Sequence, residues 1–130
     1  MSEEEISGLK ELGNEQFKNG EFVLAIVSYS KAIDKFGGTA RQSLTGERGL
    51  LLAALLGNRA ACRLKVLTSV AVRNAADIQS CIEDCDGALE LNPIFGKALY
   101  RKAQVLLLKP DIRGALKEIA RLLHFEPKKC

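Results

Sequence analysis

Residues 90–127 read ELNPIFGKALYRKAQVLLLKPDIRGALKEIARLLHFEP, and the two ends of this segment are versions of one another. "ELNP" (90–93) and "HFEP" (124–127) set Pro93 and Pro127 34 residues apart. Each proline follows a run whose apolar residues recur at i, i+3, i+4 and i+7, the period of a half-buried helix. A proline just past such a run cannot continue the helix and marks its stop. A fixed period of this length belongs to a helix-turn-helix unit repeated along a chain.

Working outward, the same frame aligns "AIVSYSKAI" (25–33), "CIEDCDGAL" (81–89) and "ALKEIARLL" (115–123) as three second helices. A small residue leads each (Ala25, Cys81, Ala115), a larger one follows four later (Tyr29, Cys85, Ile119), and Ala32, Ala88 and Leu122 come three after that. These share one helical face. The first helices align as "LKELGNEQF" (9–17), "AALLGNRAA" (53–61) and "GKALYRKAQ" (96–104), with leucine in register at 12, 56 and 99. Gly13 and Gly57 supply a small residue for close helix approach, and Tyr100 departs from it.

Ser2 with Glu5 fits a capping box opening the first helix, and Gly20 is placed to end it. Glu21 to about Lys35 reads as the second helix, stopped by Gly37 and Gly38. The reading is one domain, 1–130: repeat 1 about 5–37, a loop 38–48, repeat 2 about 49–93 with an insertion near 66–76, and repeat 3 about 94–127. The insertion either extends the helix or forms a partly apolar loop. No run alternates with period two, so the expected class is all-α.

The 130 residues are 47% hydrophobic and 27% charged, the composition of a globular chain with a modest core. The longest apolar runs, such as "GLLLAALLG" (49–57), fall short of the ~18 residues of a membrane span. The N-terminus "MSEEEISGL" is acidic where a leader would be basic, so a cytoplasmic or nuclear place is expected, with cytoplasmic as the reading taken. Net charge is +3, too mild to imply nucleic acid by itself. The four cysteines (62, 81, 85, 130) form no CxxC pair and read as small buried thiols, with no metal site expected.

These residues resemble the tetratricopeptide repeat family, whose pattern here is Leu-Gly, then Ala, an aromatic, Ala and finally Pro, over about residues 5–127. The tryptophan expected in the first helix is replaced by Leu9, Ala53 and Gly96. The resemblance implies three helix-turn-helix repeats stacked into a right-handed superhelix, with the first helices lining a concave peptide groove. Stacking is needed because one hairpin cannot bury its own apolar face.

In that frame Lys10 and Lys97 share one position, and Asn14, Asn58 and Arg101 the position four later. Residues at i and i+4 lie on one helical face, so five hydrogen-bond donors from three repeats project into one channel, with no carboxylate among them. The set Lys10, Asn14, Asn58, Lys97 and Arg101 resembles the dicarboxylate clamp of tetratricopeptide co-chaperones. The resemblance implies binding of the Glu-Glu-Val-Asp C-terminus of heat-shock protein 90 and/or 70 chaperones. By the same register Phe17 and Ala61 would wall an apolar pocket for the peptide's valine. "GNRAACRLK" (57–65) and "KALYRKAQVL" (97–106) look most like the N-terminal domain of UCS-class myosin co-chaperones, with myosin as a client bound by a region outside this chain.

Catalysis finds no footing. There is no GxGxxG or P-loop, and His124 has no nucleophile in register, reading instead as a residue that caps or packs near the last helix end. Glu83 with Asp84, and Glu3 to Glu5, read as solvated faces or helix N-terminal charge. The chain is therefore expected to be no enzyme, to carry no cofactor, and to be part of a longer protein. The alternatives are a scaffold for another peptide, or the targeting module of an immunophilin or phosphatase.

Overall fold

The computed structural model describes residues 3–37, 44 and 46–124. Six helices follow one another: α1 (Glu3–Lys18), α2 (Phe22–Asp34), α3 (Gly46–Thr68), α4 (Ala75–Leu91), α5 (Gly96–Leu106) and α6 (Ile112–His124). No strand occurs among the described residues, as the missing period-two signal implied. Ser2, Gly38, Pro127, Cys130 and the side chain of His124 lie outside what is described, and so do the readings placed on them.

The helices pack in consecutive pairs, α1 on α2, α3 on α4 and α5 on α6, and the pairs stack through α2 on α3 and α4 on α5. Short local signals set the corners. Gly20 takes φ 79°, open to glycine at little cost. It closes α1 by donating from its N–H to Phe17 O (3.0 Å), while Glu21 N–H reaches Gln16 O (2.8 Å), the paired bonds of a Schellman cap. Asn74 opens α4, its side-chain oxygen accepting from the N–H of Ala76 at 2.7 Å. Pro93 stands just past the end of α4.

Helix α3 runs for 23 residues. It begins at Gly46, inside the stretch read as loop, and carries the first residues of the 66–76 insertion, Val66 to Thr68, as less than one further turn. Its end is held by side chains: Thr68 Oγ1 donates to Lys65 O, Ser69 Oγ to Val66 O, and Arg73 Nε to Leu67 O at 2.7 Å. These satisfy carbonyls that the helix terminus would leave orphaned. The insertion is thus helix and then a short loop.

The second-helix face reads as expected. Ala25, Ala32, Cys81, Cys85 and Ala88 are fully buried, Tyr29 and Ala115 nearly so, and Ile119 and Leu122 pack against the core edge. The leucine register does not hold throughout: Leu56 is buried, but Leu12 is 48% exposed, since α1 packs chiefly on α2 while α3 packs on α2, α4 and α5. Tyr100, at the departure from glycine, is 65% exposed and stays out of the core. The interior forms two clusters, one around Ile6, Tyr29, Phe36, Leu55 and Leu56, the other around Leu64, Ile78, Cys85, Val105 and Leu106. Each fully buried large side chain contributes roughly 1.5–3 kcal/mol.

Asp84 corrects the sequence reading. It is not on a solvated face but 4% exposed, between α3 and α4. Arg59 grips it through two bonds (Nε–Oδ2 2.9 Å, Nη2–Oδ1 2.7 Å), Arg63 Nε adds a third at 2.9 Å, and Arg59 Nη1 reaches Ser30 Oγ on α2 at 3.0 Å. A buried carboxylate survives only when its charge is matched and its lone pairs are filled. This one ties three helices of two repeats together.

Candidate functional site

Helices α1, α3 and α5 present one turn each to a common cavity of about 240 Å³, lined by Asn14, Phe17, Lys18, Tyr29, Asn58, Ala61, Lys97 and Arg101. A second cavity of about 260 Å³ shares Phe17, Ala61 and Arg101 with the first and continues it along Leu64, Lys65, Thr68, Tyr100 and Gln104. The two form one groove.

Four of the five residues read as a clamp therefore meet: Asn14, Asn58, Lys97 and Arg101. Phe17 and Ala61 meet there as well, and they wall both halves of the groove. Lys10 does not line the cavity; it is half-buried on α1, one turn before Asn14. In its place the structure brings in Lys18, one turn after Asn14 on the same face. Spacing by four from Asn14 finds Lys18 as readily as it finds Lys10.

Local packing fixes these positions. The ring of Phe17 meets that of Phe22 edge to face, centroids 5.3 Å apart, which holds the cavity's apolar wall. Tyr29 rises from α2 between the first helices, 2% exposed, with its hydroxyl donating to Asn14 Oδ1 at 2.5 Å. That ring fits only because residue 13 is glycine: a Cβ there would lie 2.6 Å from Tyr29 Cε1. Asn58 Nδ2 lies 3.4 Å from the same Asn14 oxygen, at the outer edge of hydrogen bonding, so the amides of α1 and α3 adjoin. Arg101 Nη1 lies 3.4 Å from Lys97 O, one turn back on its own helix.

The electrostatics are one-sided. Lys18, Lys65, Lys97 and Arg101 line the groove and no carboxylate does. Among the described residues none of these four cations makes an ion pair. Burial pushes the phenol of Tyr29 from 10.0 up to about 12, with Cys62 adding to the rise and a hydrogen bond with Asn58 opposing it, so the phenol stays protonated at neutral pH. Burial likewise raises the Cys62 thiol behind the cavity to about 11, against the pull of Arg101. The pocket is lined by hydrogen-bond donors and cations beside an apolar wall. Such a surface fits a carboxylate next to an aliphatic side chain.

A larger depression, about 660 Å³, lies between α1 and α2, but it mixes Glu4, Glu5 and Asp34 with Lys31 and Lys35 and offers no single-sign field. Among the described residues no group of three or more His, Cys, Asp or Glu is placed to hold a metal ion. Cys62, Cys81 and Cys85 are buried free thiols, and Cys81 Sγ donates to Ala60 O. A hydrogen bond from Cys85 lowers the Cys81 thiol's pKa, and the same bond raises that of Cys85. No helix among the described residues is long and apolar enough to cross a membrane.

The chain matches no model of a protein family. It is 35% identical over 118 residues to sperm-associated antigen 1 of Rattus norvegicus, covering 91% of this chain and 12% of that protein. It is 33% identical over 128 residues to protein unc-45 homolog B of Mus musculus, covering 98% of this chain and again 12% of the relative. The chain thus spans about an eighth of the length of these curated relatives. Among solved structures it superposes on the first TPR of Spaghetti (RPAP3) bound to the HSP90 peptide SRMEEVD with a TM-score of 0.65, at 24% identity, over 99% of this chain and 87% of that one. Three stacked helix pairs, matching a solved domain of this kind over nearly the whole length, give this chain the fold of a tetratricopeptide repeat domain.

Proposed function

We propose that the groove binds the free C-terminal carboxylate of a Glu-Glu-Val-Asp tail, as carried by heat-shock protein 90 and/or 70 chaperones, and that the chain serves as a non-enzymatic co-chaperone module in the cytoplasm. The carrying observation is the convergence of Asn14, Asn58, Lys97 and Arg101 on one cavity that no carboxylate lines. The solved neighbour with an HSP90 peptide bound supports the same reading of the groove. Lys97 and Arg101 supply charge, and the two asparagines supply neutral donors. Lys10 reaches a ligand only from one turn outside the cavity, so it guides the approach of the acidic tail rather than gripping its end. Phe17 and Ala61 take the valine. The likeness to unc-45 homolog B supports recruitment of the chaperone for myosin folding, with the client held by a region outside this chain.

Hydrogen bonds to charged groups contribute about 1.5–3 kcal/mol each, less the cost of ordering a flexible tail. Micromolar binding, about −8 kcal/mol, follows. Calorimetric titration with a Met-Glu-Glu-Val-Asp peptide tests the site: Lys97→Ala and Arg101→Ala should each abolish measurable binding while leaving the helical circular dichroism unchanged. Unaltered isotherms in both variants would refute the clamp.

A further inference from the structure

An asparagine is an ambiguous anion ligand. Its amide carries a donor and an acceptor of nearly equal size, and a half-turn about the last bond replaces an attractive N–H₂ with a repulsive oxygen. A carboxylate site built on asparagines therefore needs something to fix which end faces the ligand. Neither Lys97 nor Arg101 does this for Asn14, since a cation lining the cavity would draw the amide oxygen toward the ligand, the orientation that repels a carboxylate.

Tyr29 is placed to do it. Its hydroxyl meets the Asn14 side chain at 2.5 Å, a separation that belongs to O–H···O bonds and is too short for N–H···O. The phenol therefore donates and Asn14 Oδ1 accepts. Asn58 Nδ2 approaches the same oxygen at 3.4 Å, adding a second positive dipole on that side. With its oxygen turned to these donors, Asn14 presents its Nδ2 hydrogens elsewhere, and both Asn14 and Tyr29 line the cavity. The phenol cannot easily move. Its ring is 2% exposed and seated against the backbone of Gly13, where a Cβ would come within 2.6 Å of Cε1.

We infer that Tyr29 is a positioning residue that sets the polarity of the Asn14 amide, and so lets the groove distinguish a terminal carboxylate from a terminal carboxamide. This rests on the carboxylate reading of the groove. Without the hydroxyl, Asn14 is free to turn its oxygen toward the ligand, where it repels a carboxylate but accepts from a carboxamide N–H₂. Selectivity then falls from both directions. Gly13 is part of the same device, since it admits the ring that carries the hydroxyl.

Tyr29→Phe removes the hydroxyl and keeps the ring, so the packing on Gly13 stays. Titrations of wild type and Tyr29→Phe with Met-Glu-Glu-Val-Asp as free acid and as C-terminal amide give the acid-to-amide affinity ratio. A purely structural tyrosine would shift the melting temperature and leave that ratio alone. The expected result is a ratio about tenfold smaller in Tyr29→Phe, the size of one hydrogen bond to a charged group. An unchanged ratio, with the acid still preferred by both proteins, overturns the role of Tyr29 and leaves the carboxylate reading standing. Failure of the wild type to bind the acid, or equal binding of both peptides by it, overturns the carboxylate reading and this inference together.

Discussion

Gly13, Tyr29 and Asp84 carry more of the molecule than their chemistry alone suggests. A methyl added at Gly13 would lie inside contact distance of three atoms of the Tyr29 ring. Overpacking of this kind costs about 1–3 kcal/mol, more than the roughly 1 kcal/mol that alanine gains over glycine in a helix. Gly13→Ala should therefore lower the melting temperature by a few degrees, read by circular dichroism, where an exposed helical glycine would raise it. Asp84→Ala leaves Arg59 and Arg63 facing an empty site, and loss of a buried ion-pair partner costs on the order of 3 kcal/mol. Urea titration should show this as a lower midpoint with an unchanged slope. Tyr29 adds a pH signature. Its pKa rises from 10.0 to about 12 on folding, so the unfolded chain ionises first, and the contribution present below pH 10 is lost as pH rises toward 12. The stability gap between wild type and Tyr29→Phe should narrow across that window; a constant gap would show that the phenol keeps its ordinary pKa. Spacing alone could not reveal Asp84, because its partners lie 25 and 21 residues back on another helix.

Among the elements, the second helices were legible because alanine and thiol positions repeat at helical spacing wherever two repeats press together. The first helices were less so. Leu12 shares its register with Leu56, yet one is half exposed and the other buried, since α1 packs chiefly on one helix and α3 on three. The first turn reported itself through a single residue, Gly20, whereas the cap at Asn74 is equally local but lies in the insertion, which the sequence left open between helix and loop. Asn74→Ala removes the side-chain acceptor for Ala76 N–H and should destabilise α4 by about 1 kcal/mol, seen as a shift in the urea midpoint. The far end of α3 was ambiguous in sequence because its cap is not a helix-stop residue but Arg73, folding back six residues to Leu67 O. Lys18 was open to the same reasoning that singled out Lys10, one turn to either side of Asn14, and only the packing of α1 decides which of them enters the cavity.

For the molecule as a whole, the groove is assembled by stacking, so its charge belongs to no single repeat. Lys18 comes from the first pair, Lys65 from the second, and Lys97 and Arg101 from the third. A ligand that carries several carboxylates should feel all four. Its affinity should fall several-fold between about 0.1 and 1 M salt, as the screening length contracts from roughly 10 to 3 Å. An affinity indifferent to salt would point to the apolar slot alone. The most direct measurement on the central claim is a pair of calorimetric titrations of the unmodified protein, one with Met-Glu-Glu-Val-Asp ending in a free carboxylate, the other with the same peptide amidated. A donor-lined cavity predicts micromolar binding of the acid and at least tenfold weaker binding of the amide. Equal affinities for the two would contradict it.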